Sequence, residues 1–308
     1  MHLKTSIIVK LSIISCCMIL SANSFSQKLG IFEGQTDVGK VLHAGNASHD
    51  PDTDDYVVSG SGSNIWFTND EFHFVWKKMK GDFILRARGK FLGKGVEEHR
   101  KYGWMIRQNL DTSSTMVAAT IHGNGLTSLQ YRPAPHTNVE EKQFDIKGPD
   151  VVQLERKGNH FIMSVAHFGD TFMTQEISGV NFDGDVYVGL FVCAHNKDVV
   201  EKAGFENVRI VRPAPKDLVP YKKYLGSRIE TMDVMTGKRK IIYTENVSLQ
   251  APNWMKDGKS LIYNSDGSLY KFDLKSGKPA LLPTGKVKNI NNDHVISFDG
   301  KMLGLSNT

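Results

Sequence analysis

The chain has 308 residues, of which 38 are Lys or Arg and 33 are Asp or Glu, for a formal net charge of +5. Three cysteines and no cluster of basic residues exclude a disulfide-built scaffold and a nucleic-acid-binding surface. About 280 residues beyond a leader are enough for two domains.

Met1–Ser26 reads as an export signal. Lys4 and Lys10 make a basic start, and Leu11–Leu20 is an apolar run too short to span a bilayer. Ser24 and Ser26 place small residues before a cleavage site at Gln27. Ile13-Ile14-Ser15-Cys16 also fits a lipoprotein box, although the apolar run continues past Cys16. Soluble export to the periplasm or the cell exterior is the expectation, with lipidation at Cys16 as the alternative and no transmembrane helix in the mature chain. Removing this segment takes away two lysines and no acid, so the charge falls from +5 to +3. It also leaves Cys193 alone, at the end of an apolar strand, as a buried and inert thiol.

Residues 29–211 carry short alternating runs and almost no helical period. The strand expectations are Tyr56–Ser59, Phe72–Lys77, Phe83–Phe91, Tyr102–Arg107, Met116–His122, Ser128–Arg132, Val151–Arg156, His160–Ala166, Thr171–Glu176, Val186–Cys193 and Ala203–Val211. In the third of these, Phe83, Leu85, Ala87 and Phe91 share one side, while Ile84, Arg86, Arg88 and Lys90 share the other. Val186–Cys193 is apolar on both faces, which marks a central strand. Many short strands at regular spacing predict a sandwich or barrel.

Arg212–Pro220 holds three prolines in nine residues, a semi-rigid linker reaching to about Gly226. Beyond it the sequence repeats itself. Asp257-Gly258-Lys259 returns as Asp299-Gly300-Lys301, 42 positions on. Asp233-Val-Met-Thr-Gly237 returns as Asp273-Leu-Lys-Ser-Gly277, 40 positions on. Offsets near 40 fit a four-stranded propeller blade. Residues 227–308 hold about two such blades, whereas a closed propeller needs roughly four to eight. The expectation is therefore a fragment of a larger ring.

Pro252, Trp254, Asp257, Gly258, Lys259, Leu261, Tyr263, Leu269, Tyr270, Asp273 and Gly277 resemble the TolB-like propeller repeat. Lys256 stands where that family usually has Pro, and Ser297 replaces Trp in the last copy. Asn64-Ile-Trp66, Gly81-Asp82-Phe83, Gly103-Trp-Met-Ile-Arg107, Val188-Gly-Leu-Phe-Val192 and Ala203-Gly-Phe205 resemble the concanavalin-like, laminin-G-like jelly roll. Together they resemble exported bacterial proteins that join such a sandwich to a TolB-like propeller. The implied fold is all-β: a jelly-roll β-sandwich followed by an incomplete propeller segment. The resemblance is specific for fold and weak for activity.

The candidate chemistry is sparse. Asp50, Asp52 and Asp54 alternate in one loop, as calcium ligands do. Asp55 and Ser61 stand where an EF-hand loop needs Gly and Glu, so a solvated loop is the competing reading. The histidines have no H-x-x-x-H spacing, although His122, His167 and His195 sit at strand ends, where sandwich sites open. A glucanase-type carboxylate run and a nucleophile elbow are both absent, which argues against a hydrolase and leaves no catalytic residue assigned. Sugar binding needs an aromatic platform with planar polar groups. Arg107, Arg132, His122, Tyr131 and Trp76 are the residues expected to supply it, with Arg107 and Arg132 lining a groove. The resulting expectation is an exported, non-catalytic protein. Its sandwich binds a glycan or envelope polymer, and its propeller offers a surface for a protein or ligand. A polysaccharide hydrolase and a structural Tol-like envelope component are the alternatives.

Overall fold

Alternation decides which strands can stack, because residues i and i+2 share a face. The structure, a computed structural model, describes residues 29–219 and 222–307. The export-signal and lipidation expectations, including Cys16, lie outside the described residues. Fourteen strands build the first part: β1 (Gly34–Val38), β2 (Asn46–Asp50), β3 (Asp55–Gly60), β4 (Phe72–Met79), β5 (Phe83–Leu92), β6 (Lys101–Arg107) and β7 (Met116–His122). They continue with β8 (Thr127–Arg132), β9 (Glu140–Gln143), β10 (Val151–Lys157), β11 (His160–Ala166), β12 (Met173–Ser178), β13 (Val186–Cys193) and β14 (Glu201–Val211).

They form two seven-stranded antiparallel sheets, in the orders β1-β4-β13-β6-β7-β8-β9 and β12-β11-β10-β5-β14-β3-β2. The inner faces meet in one core. Trp104, Ile106, Val117, Val188 and Leu190 come from the first sheet, and Leu85, Leu154, Met163 and Phe205 from the second. Each is fully or almost fully buried, contributing about 1.5–3 kcal/mol per side chain. β13 lies between β4 and β6, inside its sheet, as its two apolar faces require. Three strands have no counterpart in the sequence reading: β1, β2 and β9. All three are sheet edges. Their residues are mostly polar and carry no regular apolar alternation to read.

The first sheet is also covered on its outer face. Phe72, Phe74, Met105, Met116, Phe191 and Cys193 make a second apolar layer with Val38, Ile65 and Val139 from flanking segments. Burial pushes the Cys193 thiol up to about 11, which leaves it protonated and unreactive near neutral pH.

The remaining strands are β15 (Ser227–Met232), β16 (Arg239–Glu245), β17 (Gln250–Trp254), β18 (Ser260–Ser265), β19 (Ser268–Asp273), β20 (Lys278–Leu281), β21 (Ile290–Ile296) and β22 (Leu303–Asn307). Eight strands match the number in two blades, but they are grouped as a hairpin, a four-stranded sheet and a second hairpin. The segment expected to hold about two blades is thus one four-stranded sheet with a two-stranded unit on either side. The repeat explains the phase: β15 corresponds to β19, and β22 to β18. Among the described residues these sheets do not close into a ring.

The Asp266-Gly267 turn has positive φ at both residues, 46° and 72°, as a two-residue hairpin turn demands. The repeated aspartates close turns. Asp257 accepts from the Lys259 and Ser260 amides at 2.8 and 3.1 Å, and Asp299 accepts from the Lys301 amide at 3.0 Å. No helix of the described residues is long and apolar enough to cross a membrane.

Candidate functional site

The outer face of the first sheet carries most of the residues the sequence singled out, in cross-strand rows. Cys193, Lys101 and His122 are register partners in one row. Gly103, Thr120 and Ser128 follow in the next, then Met105, Ala118, Gln130 and Glu141, then Arg107, Met116 and Arg132.

Arg107 and Arg132 occupy the closed end. Both are completely buried, and so is Asp70 between them. Asp70 Oδ2 accepts from Arg107 Nη1 and Arg132 Nη1, both at 2.7 Å, and Oδ1 accepts from Arg132 Nη2 at 2.6 Å. The remaining guanidinium donors go to carbonyls. Arg107 donates to Asn109 and Asp111, and Arg132 to Phe67, Ser114 and Thr137. The expected groove at these arginines is corrected: with no surface left to a ligand, they fasten three loops across the sheet. Sequence alternation placed them on the right face but could not show what covers that face.

Tyr131 also departs from the expectation. It alternates with Gln130 and Arg132, so it leans toward the main core and donates to Glu140 Oε2 at 2.8 Å. Trp76 stays on the outer face, edge-on to Tyr187 with ring centroids 4.9 Å apart, and is half-buried. These two residues do not meet His122 in one platform.

His122 marks the other end of the face, and polar groups gather around it. Its Nε2 lies 3.2 Å from Gln130 Nε2, which also donates to Ser128 Oγ at 3.1 Å and Glu141 Oε2 at 3.3 Å. Lys101 is buried and donates to Asn64 Oδ1 at 2.9 Å and the Ile65 carbonyl at 3.0 Å. His99 and His195 stand nearby, with ring centroids 6.0 Å (His99–His122) and 5.5 Å (His99–His195) apart. Burial, reinforced by the Lys101 charge, pushes the His122 imidazole down to about 3. His122 is therefore neutral at physiological pH. His122 Nδ1, His195 Nδ1 and Thr120 Oγ1 are all buried without a hydrogen-bond partner. Three orphaned polar atoms at one end of one sheet face are uncommon in a packed protein. Thr120, Gln130, Lys101 and His99 escaped the sequence reading. The Thr120–His122 alternation pointed to Thr120, but Lys101 and Gln130 join only through strand register and His99 only through loop placement.

The carboxylates of the acidic loop are engaged by neighbouring amides and cations. Asp50 Oδ1 accepts from the Asp52 amide at 2.8 Å, and Asp54 pairs with His49 at 3.0 Å and Arg209 at 3.1 Å. Asp55 pairs with Lys238. Cations of the protein thus neutralise Asp54 and Asp55, and among the described residues no group of three metal-binding side chains converges. Asp50, Asp52 and Asp54, the residues of the calcium reading, belong to no such group. His167 lies apart from the cluster, 3.4 Å from Asp150.

The class these observations define is an all-β protein on a two-sheet sandwich with a buried polar cluster on one outer face. No family model matches the chain. Over 83 residues, 27% of its length, it is 38% identical to the Uncharacterized protein Atu1656 of Agrobacterium fabrum. It covers 28% of that relative, little more than a quarter of its length. Among solved structures it resembles a functionally unknown protein from Saccharomyces cerevisiae, at TM-score 0.44 and 12% identity, over 56% of this chain and 97% of that one. A carbohydrate-binding module from Bacillus subtilis aligns at TM-score 0.38 and 14% identity, over 59% and 98%. Lectin II from Ulex europaeus aligns at 0.37 and 9%, over 56% and 96%. At scores below 0.5 these likenesses say nothing about a ligand for this chain.

Proposed function

We propose that this chain is an exported binding protein, acting in the periplasm or outside the cell, whose sandwich takes a glycan or another hydroxyl-rich envelope polymer at the His122 end of the outer face. The observation that carries this reading is the set of unpaired Thr120 Oγ1, His122 Nδ1 and His195 Nδ1 atoms beside Gln130, Lys101 and Glu141. Hydroxyl, amide, imidazole and ammonium groups converge there, and a sugar hydroxyl can both donate to and accept from such a set. The C-terminal strands fit part of a TolB-like propeller that presents a surface to a protein or ligand. The four-stranded sheet supports this, because it is packed on both faces as a blade is. Leu261, Tyr263 and Phe272 meet Ile229 of β15 on one side, and Ile262 and Leu269 meet Ile290 of β21 on the other.

A panel of soluble polysaccharides titrated calorimetrically against the chain tests the reading. Heat on binding, lost in Thr120→Val and Gln130→Leu variants that still fold, is the expected result. A panel with no binder ends it. The alternative reading is a polysaccharide-active enzyme, for which His122, held far below its ordinary basicity by burial and the Lys101 charge, is too weak a base to be the proton acceptor. Release of shortened oligosaccharides from a bound polymer decides for that alternative.

A further inference from the structure

The cleft between the second sheet and the β15–β16 hairpin has about 410 Å³ of space. Five arginines line it: Arg86 and Arg88 of β5, Arg209 of β14, Arg228 of β15 and Arg239 of β16. A single carboxylate, Glu230, lines it with them. Arginine keeps its charge at any physiological pH, so five positive charges face one negative charge. Glu230 is shared three ways. Its Oε1 lies 3.3 Å from Arg209 Nε and 3.2 Å from Arg228 Nε, and its Oε2 lies 3.7 Å from Arg239 Nη1. Arg209 has a second partner in Asp54, yet its Nη2 is buried with no acceptor. Arg88 donates to the Thr236 carbonyl at 2.7 Å and lies 4.3 Å from the Phe168 ring centroid, contacts that leave its charge uncompensated. Arg86 lies over Phe172. Ile84, Val151 and Val211 add apolar walls, and Gln153 and Asn207 add uncharged polar groups.

An interface whose only task was to hold the hairpin against the sandwich would gain from matched charges, since unmatched like charges in a partly desolvated cleft repel. We propose that this cleft is an anion-binding site for an acidic oligosaccharide, its carboxylates taken by Arg86, Arg209 and Arg239. Guanidinium groups meet carboxylates through paired hydrogen bonds, and the cleft is large enough for sugar rings between the apolar walls. The choice of a sugar acid rests on the glycan reading above. The anion chemistry rests on the cleft alone, on the opposite sheet from His122.

The test titrates the full chain with trigalacturonate, with neutral cellotriose, with triglutamate and with inorganic phosphate. Trigalacturonate is expected to bind, to weaken as salt is raised, and to bind about ten-fold more weakly to an Arg86→Gln/Arg239→Gln variant. Glu230→Gln is expected to tighten it, an effect that a merely structural role for Glu230 does not produce. Thr120→Val leaves this binding unchanged, so failure at the His122 cluster and failure at the cleft are told apart. No trigalacturonate binding at low salt, or equal binding to the double arginine variant, overturns the site. Preference for triglutamate, phosphate or cellotriose overturns the sugar-acid assignment.

Discussion

Asp70 holds Arg132 with both carboxylate oxygens, at 2.6 and 2.7 Å, where neither side chain has any exposed surface. The same carboxylate also carries Arg107, so one buried negative charge answers two positive ones. The pair joins a loop residue to the end of β8 and so closes the outer face of the first sheet. It is the reason that two arginines with the right alternation for a binding groove are unavailable to a ligand.

Asp70→Ala leaves two guanidinium groups buried without a counter-charge. Breaking a buried pair from one side costs about 3–5 kcal/mol, and here two pairs break together. Urea denaturation is expected to show a loss at or above that range, or no folded protein. A loss below about 1 kcal/mol would mean that water reaches the arginines.

His122 predicts an acid-sensitive fold. Its folded value of about 3 lies below the ordinary 6.5, so between these values the unfolded chain binds a proton that the folded chain refuses. Stability therefore falls as pH drops below 6.5 and is fully present above it. One such group costs about 2 kcal/mol at pH 5 relative to pH 7. His122→Gln should reduce the drop between pH 7 and pH 5 by about that amount. Identical drops in both proteins would refute the assignment.

Thr120→Val replaces an unpaired buried hydroxyl with a methyl group of nearly the same size. Because Thr120 Oγ1 has no partner to lose, the variant is expected to be as stable as the parent or more so, by about 1 kcal/mol. Thermal denaturation measures this directly. A clear loss of stability would show that an ordered water pairs the hydroxyl.

Gly189 is fixed by close approach. A Cβ built there would sit 1.8 Å from the Val75 carbonyl oxygen on the neighbouring strand. Gly189→Ala must push β13 away from β4, at a cost of about 1–3 kcal/mol. Solubility and urea midpoint together report the result, and a variant as stable as the parent contradicts the close pairing of these strands.

What could be read in advance follows the reach of each physical rule. Phe83, Leu85 and Ala87 announced their shared face because alternation is local. β1, β2 and β9 were silent because edge strands have little to bury. The repeat offsets fixed the repeated turns but not the phase in which strands group into sheets, since identical units can be cut at any point in their cycle.

The sequence by itself determined the all-β class, the face on which each central strand's side chains lie, and the Asp-Gly turns of the C-terminal repeat. Those properties depend on residues a few positions apart. The tertiary structure alone decided that Arg107 and Arg132 are closed in by Asp70, and that Asp54 answers Arg209. It alone brought Thr120, Gln130 and Lys101 beside His122. Charge pairing and burial are set by strand register and loop closure between distant segments, and a linear pattern carries no record of that distance.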